Sequence, residues 1–176
     1  MRVRNISVIG SSGIISDDVK ELAEAVGKYI GESTFNLVCG GRDGVMEAVC
    51  RGMSTVKGKK GSIIGILPGY DFDGANSFCE VVIPTGIGYA RNSIVANSGD
   101  IVIIIAGATG TLTEAAFAWS YNKPLVAMVK SGGIAKELAG KVLDYRSTVP
   151  VYTCETIDEL DFTVKKIINE NKDEQI

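Results

Sequence analysis

Three glycine-rich turns, each set after a short apolar run of β type and before a helix-like segment, constrain this chain more than any other feature. Gly10-Ser11-Ser12-Gly13 follows Ile6 to Ile9, Gly40-Gly41-Arg42-Asp43-Gly44 follows Phe35 to Cys39, and Gly107-Ala108-Thr109-Gly110-Thr111 follows Ile101 to Ile105. Strand, turn and helix in repeated succession give an α/β fold, with a mainly parallel sheet covered by helices on both faces. Turns of this kind aim backbone N–H groups and the positive end of a helix dipole at one spot, which suits a phosphate or another anion. On a parallel sheet all three emerge along the carboxyl edge, where open α/β sheets bind their ligands.

The remaining pattern agrees with a Rossmann-like, doubly wound sheet. Ser16 caps a helix with Asp17 and Asp18 in its first turn and Val19, Leu22, Val26 and Ile30 on one apolar face. A second helix runs from about Val45 to Val56, followed by strands at Ile63 to Leu67 and Val81 to Ile83. Tyr89 to Ser98 reads as a short helix, and the β-branched run Ile101 to Ile105 as a central strand. Leu112 to Tyr121 is the next helix, Leu125 to Val129 and Val149 to Tyr152 are strands, and Ile157 to about Asn169 is an amphipathic closing helix. One domain over residues 1–170 is expected, with a polar tail at 171–176 that frays.

Several function classes are excluded or disfavoured. The chain has no histidine, so imidazole bases and His-ligated metals are absent and any acid/base chemistry falls to carboxylates, lysine, tyrosine or cysteine. Cys39, Cys50, Cys79 and Cys154 form no CxxC pair; they read as buried free thiols, and no metal site is expected. A net charge of -3 leaves no electrostatic footprint for nucleic acid. The longest uncharged run, Ile101 to Thr113, is too short and too rich in Gly and Thr to span a membrane, and the first residues lack a signal-peptide pattern. A cytoplasmic protein is expected.

The standard nucleotide fingerprints fail. The turn after strand one is not GxGxxG, and strand two ends in Cys39-Gly40 with no acid to hold a ribose, so NAD is disfavoured. The Gly27-Lys28 pair is followed by Tyr29 inside a helix, so there is no P-loop. Gly40-Gly41-Arg42-Asp43-Gly44-Val45-Met46, the pair Arg91-Asn92 and Ala106-Gly107-Ala108-Thr109-Gly110-Thr111-Leu112-Thr113-Glu114 instead resemble a different Rossmann-type family. That family contains the LOG (lonely guy) cytokinin-activating phosphoribohydrolases, long mislabelled lysine decarboxylases, and the molybdenum cofactor carrier proteins. Its PGGxGTxxE motif is matched with Ala106 and Ala108 in place of the proline and second glycine, and the lysine often paired with the arginine is Asn92. The Gly-Gly-Arg-Asp-Gly form and Arg91-Asn92 look more like the carrier branch, whose members need not be enzymes.

The resemblance implies a ligand held by Gly10, Ser11, Ser12, Gly40, Gly41, Arg42, Gly44, Met46, Arg91, Asn92, Gly107, Thr109, Gly110, Thr111 and Glu114. The implied ligand is a nucleotide such as AMP or a molybdopterin-like phosphate (the molybdenum cofactor), and no cofactor is required. If the chain is an enzyme, Glu114 and Arg91 are the implied catalytic residues of a nucleoside 5′-monophosphate phosphoribohydrolase. A carboxylate near the sugar stabilises the oxocarbenium-like state of N-glycosidic cleavage. Thr111-Leu112-Thr113-Glu114 reads equally as a capping box, and Arg42 with Asp43 as an exposed ion pair. A homo-oligomer, most simply a dimer, is expected on the Leu112 to Tyr121 helix. There Ala115, Ala116 and Ala118 permit close approach, and Phe117, Trp119 and Tyr121 point in several directions.

Overall fold

Ile101–Ile105 forms a fully buried inner strand, next to the central one, of a seven-stranded parallel sheet in the computed structural model, which describes residues 5–173. The strands are β1 (Asn5–Gly10), β2 (Asn36–Cys39), β3 (Ile63–Leu67), β4 (Val81–Pro84), β5 (Ile101–Ile105), β6 (Leu125–Met128) and β7 (Tyr152–Cys154). Their order across the sheet is β4-β3-β2-β1-β5-β6-β7, and every neighbouring pair is parallel. The chain therefore winds outward from β1 to β4 and then returns to the other side of β1 at β5. That reversal opens a crevice at the carboxyl ends of β1 and β5. Gly10 pairs with Ile105, so the first and third glycine turns leave the sheet side by side.

The helices are α1 (Asp17–Glu32), α2 (Val45–Ser54), α3 (Asn92–Ser98), α4 (Thr109–Ser120), α5 (Gly133–Leu138) and α6 (Ile157–Asp173). Alternate residues of β5 face opposite layers, as the pleat requires. Ile101, Ile103 and Ile105 pack with buried residues of α1, α2 and α6, and Val102 and Ile104 pack with those of α3, α4 and α5. Ser16 caps α1 by accepting from the Val19 N–H, and Val26 and Ile30 are buried on the expected face. No helix among the described residues is long and apolar enough to cross a membrane.

The structure departs from the sequence reading at four places. The third turn passes directly into α4 at Thr109, with Ala108 as the N-cap residue, one turn earlier than Leu112. The last strand is Tyr152–Cys154 and not Val149 to Tyr152, because Pro150 has no N–H for a ladder; Val151 instead bonds Lys141 and Gly140 in a loop. Helix α5, six residues that begin at the second glycine of the Gly132-Gly133 pair, is too short to show periodicity. Helix α6 runs on to Asp173, so the expected fraying tail begins inside a helix and its residues 174–176 lie outside the described residues.

Candidate functional site

Ser11 ties the three turns into one edge. Its carbonyl accepts from the Val45 N–H at the start of α2 (2.9 Å), and its hydroxyl accepts from the Gly107 N–H of the third turn (2.9 Å). Asp43 of the second turn accepts from the Gly13 N–H of the first at 3.0 Å. Asp43 is therefore a brace between loops and not the exposed partner of Arg42. The third turn is held from below by Ser131, whose hydroxyl accepts from the Ala106 N–H at 2.6 Å and itself donates to the Met128 carbonyl at 2.5 Å.

This edge bounds an open cavity of about 310 Å³ lined by Gly10, Ser11, Ser12, Ile14, Arg42, Met46, Tyr89, Arg91, Asn92, Ala108, Gly110, Thr111 and Glu114. The start of α4 faces it with no side-chain cap, so its first-turn N–H groups point at the opening. Arg91 ends a 3-10 turn (Gly88–Arg91) and is 7% exposed, and its Nε and Nη1 have no hydrogen-bond partner. Gly40 makes the guanidinium's seat, since a Cβ there would collide with Nη1 and with the Met46 sulfur. Glu114, also 7% exposed, approaches Arg91 no closer than 3.9 Å. Burial pushes the Glu114 carboxyl up to about 7, with Arg91 pulling the other way. Burial likewise lowers the Arg91 pKa, opposed by Glu114. A cation with two idle donors thus sits beside an uncapped helix start, an arrangement with the chemistry to accept an anion.

A family model described as the SLOG cluster4 family matches residues 3–160. The chain belongs to that family. An uncharacterized protein of Archaeoglobus fulgidus is 36% identical over 128 residues, covering 73% of this chain and 82% of that protein. Among solved structures, TM1055 superimposes with a TM-score of 0.84 at 26% identity, covering 93% of this chain and 99% of the other. The molybdenum cofactor binding protein of the phototrophic bacterium Rippkaea orientalis does so with a TM-score of 0.82 at 29% identity, over 96% of this chain and 99% of that one. The LOG and cofactor-carrier resemblance of the motifs thus extends to the whole fold of this SLOG chain.

Ten of the fifteen residues expected at the SLOG site line the cavity, and the other five build it. Gly40 seats Arg91, and the Gly41 carbonyl accepts from the Asn76 N–H at 2.8 Å. Gly44 is the N-cap residue of α2, the Gly107 N–H is spent on Ser11, and Thr109 is the first residue of α4. The capping-box reading of Glu114 falls, because α4 already begins at Thr109 and Glu114 lies a turn inside it, buried against Arg91. Ile14, Tyr89 and Ala108 were missed. Ile14 and Tyr89 stand fully or largely exposed at the mouth (104% and 84%), and an apolar residue just beyond a glycine turn was the only signal for Ile14. No group of three or more Cys, Asp or Glu side chains among the described residues is arranged to hold a metal ion.

Proposed function

We propose that this chain binds a nucleotide or a related phosphate ligand at the carboxyl edge of the sheet. The phosphate lies between the start of α4 and Arg91. The buried, unpartnered Nε and Nη1 of Arg91 carry the reading. Leaving buried charged donors unpaired costs several kcal/mol, roughly, unless a ligand completes them. The cavity volume of about 310 Å³ falls at the lower end of small-molecule sites, enough for a phosphate and one ring system. Met46, Tyr89 and Ile14 supply apolar surface for the ring, while Arg42 adds a second cation at the rim.

The Rippkaea orientalis neighbour is a molybdenum cofactor binding protein, and the residues here fit the phosphate of such a cofactor as well as that of AMP. Arg91 and the α4 N–H groups would hold the phosphate, and Tyr89 and Met46 the flat ring. The bound cofactor would bring its own redox chemistry, and this chain's residues would only hold and orient it. Calorimetry with AMP, GMP and inorganic phosphate tests the reading: Gly110→Asp, which puts a carboxylate into open space at the start of α4, should remove binding while the fold survives. No heat with any of the three overturns it.

The second reading, hydrolysis of a nucleoside 5′-monophosphate to free base and ribose 5-phosphate, is favoured by Glu114 in the same cavity. With its carboxyl raised to about 7 it exists in both forms near neutrality, as an acid/base group should. In its ionised form it would stabilise an oxocarbenium-like state and direct a water. Incubation with AMP should then release adenine, and Glu114→Gln and Arg91→Ala should each abolish release. An inactive wild type places the chain among binders.

A further inference from the structure

Glu114 and Arg91 line one cavity with opposite charges and no hydrogen bond between them. Glu114 lies inside α4, Arg91 ends the 3-10 turn before α3, both are buried, and their nearest charged atoms are 3.9 Å apart. Among the described residues no donor hydrogen-bonds the carboxyl, and its only ion-pair partner is Arg91. The elements packed most closely on α4, which are α3, β1, β5 and β6, carry no titratable side chain. Around the guanidinium the other titratable groups are Arg42 and Tyr89 on the cavity wall and Cys39, the residue before Gly40. Asp43 is held by the Gly13 N–H and does not line the cavity.

The charge of Glu114 is a balance between two effects. Burial disfavours the carboxylate, and Arg91 favours it. An anion that accepts from the unpartnered Nε and Nη1 of Arg91 acts on that balance twice. It neutralises the one cation that favours the ionised carboxyl, and it places a second negative charge in the same cavity. Like charges sharing one buried site oppose each other's ionisation, and the carboxyl is the partner with a proton within easy reach, since burial already lifts it to about 7.

We propose that Glu114 couples the anion site to pH: a phosphate-like anion bound at Arg91 is accompanied by a proton taken up on Glu114, so the ligand is held more tightly as pH falls and is let go as pH rises. The coupling rests on the phosphate site proposed above. Glu114 carries more of the proton in the complex than in the free protein, so affinity is greatest below the free protein's value of about 7 and declines as pH rises through it. The linkage is reciprocal, because whatever the proton does for the anion the anion does for the proton. The bound proton also turns the carboxyl from a group that only accepts into one that donates toward the ligand.

Sulfate is the probe that tests this, because it keeps its charge near neutrality while phosphate and AMP titrate there themselves. Calorimetry of the full chain with sulfate at about pH 7.5, in buffers of different ionisation heat, should show uptake of about half a proton or more per anion bound. Affinity should fall about tenfold from about pH 6 to about pH 9 at constant ionic strength. Glu114→Gln retains Arg42, Tyr89 and Cys39 and should bind sulfate with no proton uptake and no such fall. The carboxyl carbon resonance of Glu114 in the wild type should titrate at a higher pH with sulfate than without it, a result that needs no variant to fold. Sulfate binding without proton uptake, or uptake that persists in Glu114→Gln, overturns the coupling and leaves the phosphate site standing. Phosphate binding with no sulfate binding overturns it as well, since an ionised Glu114 would then be accepting the phosphate's own O–H. If sulfate, phosphate and AMP all fail to bind at every pH, the coupling falls together with the phosphate reading.

Discussion

The Arg91 guanidinium lies 3.9 Å from the Glu114 carboxylate, near enough to feel its charge and too far to hydrogen-bond it. Both side chains are buried, so the pair bears the cost of desolvation without the bond that offsets it. Stability alone would close that gap or replace the pair with apolar groups. The ligand proposed above, accepting from Arg91 on the cavity side, would account for the gap.

Replacing Arg91 by Met removes the cation beside buried Glu114 and leaves that carboxyl without its partner, so stability should fall near neutral pH, by about 3 kcal/mol, and phosphate or AMP affinity should fall as well. Charged hydrogen bonds contribute about 1.5–3 kcal/mol each, which makes the expected loss tenfold or more. Chemical denaturation and calorimetry on one preparation measure both. Reduced stability with unchanged affinity would show Arg91 to be a structural residue.

Gly40→Ala tests the seat without touching the charge. Its Cβ would collide with the guanidinium, so Arg91 must leave its position and affinity should fall about as far as in Arg91→Met. Overpacking should also cost about 1–3 kcal/mol of stability. Retained affinity in the folded variant would mean that the ligand does not use Arg91 where it stands.

Glu114 gives the folded chain a pH dependence of known sign. Its carboxyl titrates near 7 when folded, above the ordinary value near 4.5, so the folded state holds the extra proton between those limits. Its contribution is full below about pH 4.5 and is lost as pH rises through 7, a change of roughly 3 kcal/mol. Glu114→Gln should flatten the stability profile between pH 5 and 8 (both roughly, by the same linkage), seen in urea melts across that range. A profile unchanged by the substitution would assign the slope to other groups.

The sheet was legible in advance because its strands are buried on both faces and read as unbroken β-branched runs, Ile101–Ile105 above all. The glycine turns marked the carboxyl edge, and together with the family motif they named ten cavity residues. What the sequence hid was long-range. Nothing near Gly40 says that its missing side chain seats Arg91, fifty-one positions away, nor do scattered cysteines announce that the Cys39 and Cys50 sulfurs meet at 3.5 Å. Trp119, which the sequence places on the expected dimer helix, is buried and donates its indole N–H to Asp144 at 2.8 Å.

Ala106 carries a left-handed backbone, φ 52°, at the position where the family motif has proline. Proline cannot take that angle or supply the N–H that Ala106 gives to Ser131, so Ala106→Pro should destabilise by about 3 kcal/mol or more. Ala106→Gly relieves the strain and should stabilise by roughly 0.5–1 kcal/mol. Thermal melts of the pair test both signs, and a stable proline variant would mean that the turn readily takes the motif's usual form.

The outer face of α4 leads us to expect a homodimer. Ala115 and Ala118, together with Trp119, are turned into the monomer core, so the close-approach face imagined from sequence is not the one available. The large apolar side chains left outside are Leu112 and Tyr121, each 41% exposed, and half-buried Phe117, which stacks on the Tyr121 ring at 6.2 Å; Ala116 is exposed too. Phe117 and Tyr121 stand one helical turn apart on a shared face, and a two-fold axis would bring that face of each copy together. Light scattering on a sizing column should give twice the 18.6 kDa chain mass at micromolar concentration, and Tyr121→Glu should return it to the monomer without unfolding it. Trp119→Glu would be the wrong probe, since it breaks the Asp144 bond and the core together. A wild type that elutes as a monomer rejects the dimer, and a dimer indifferent to Tyr121→Glu and Leu112→Glu moves the interface off α4.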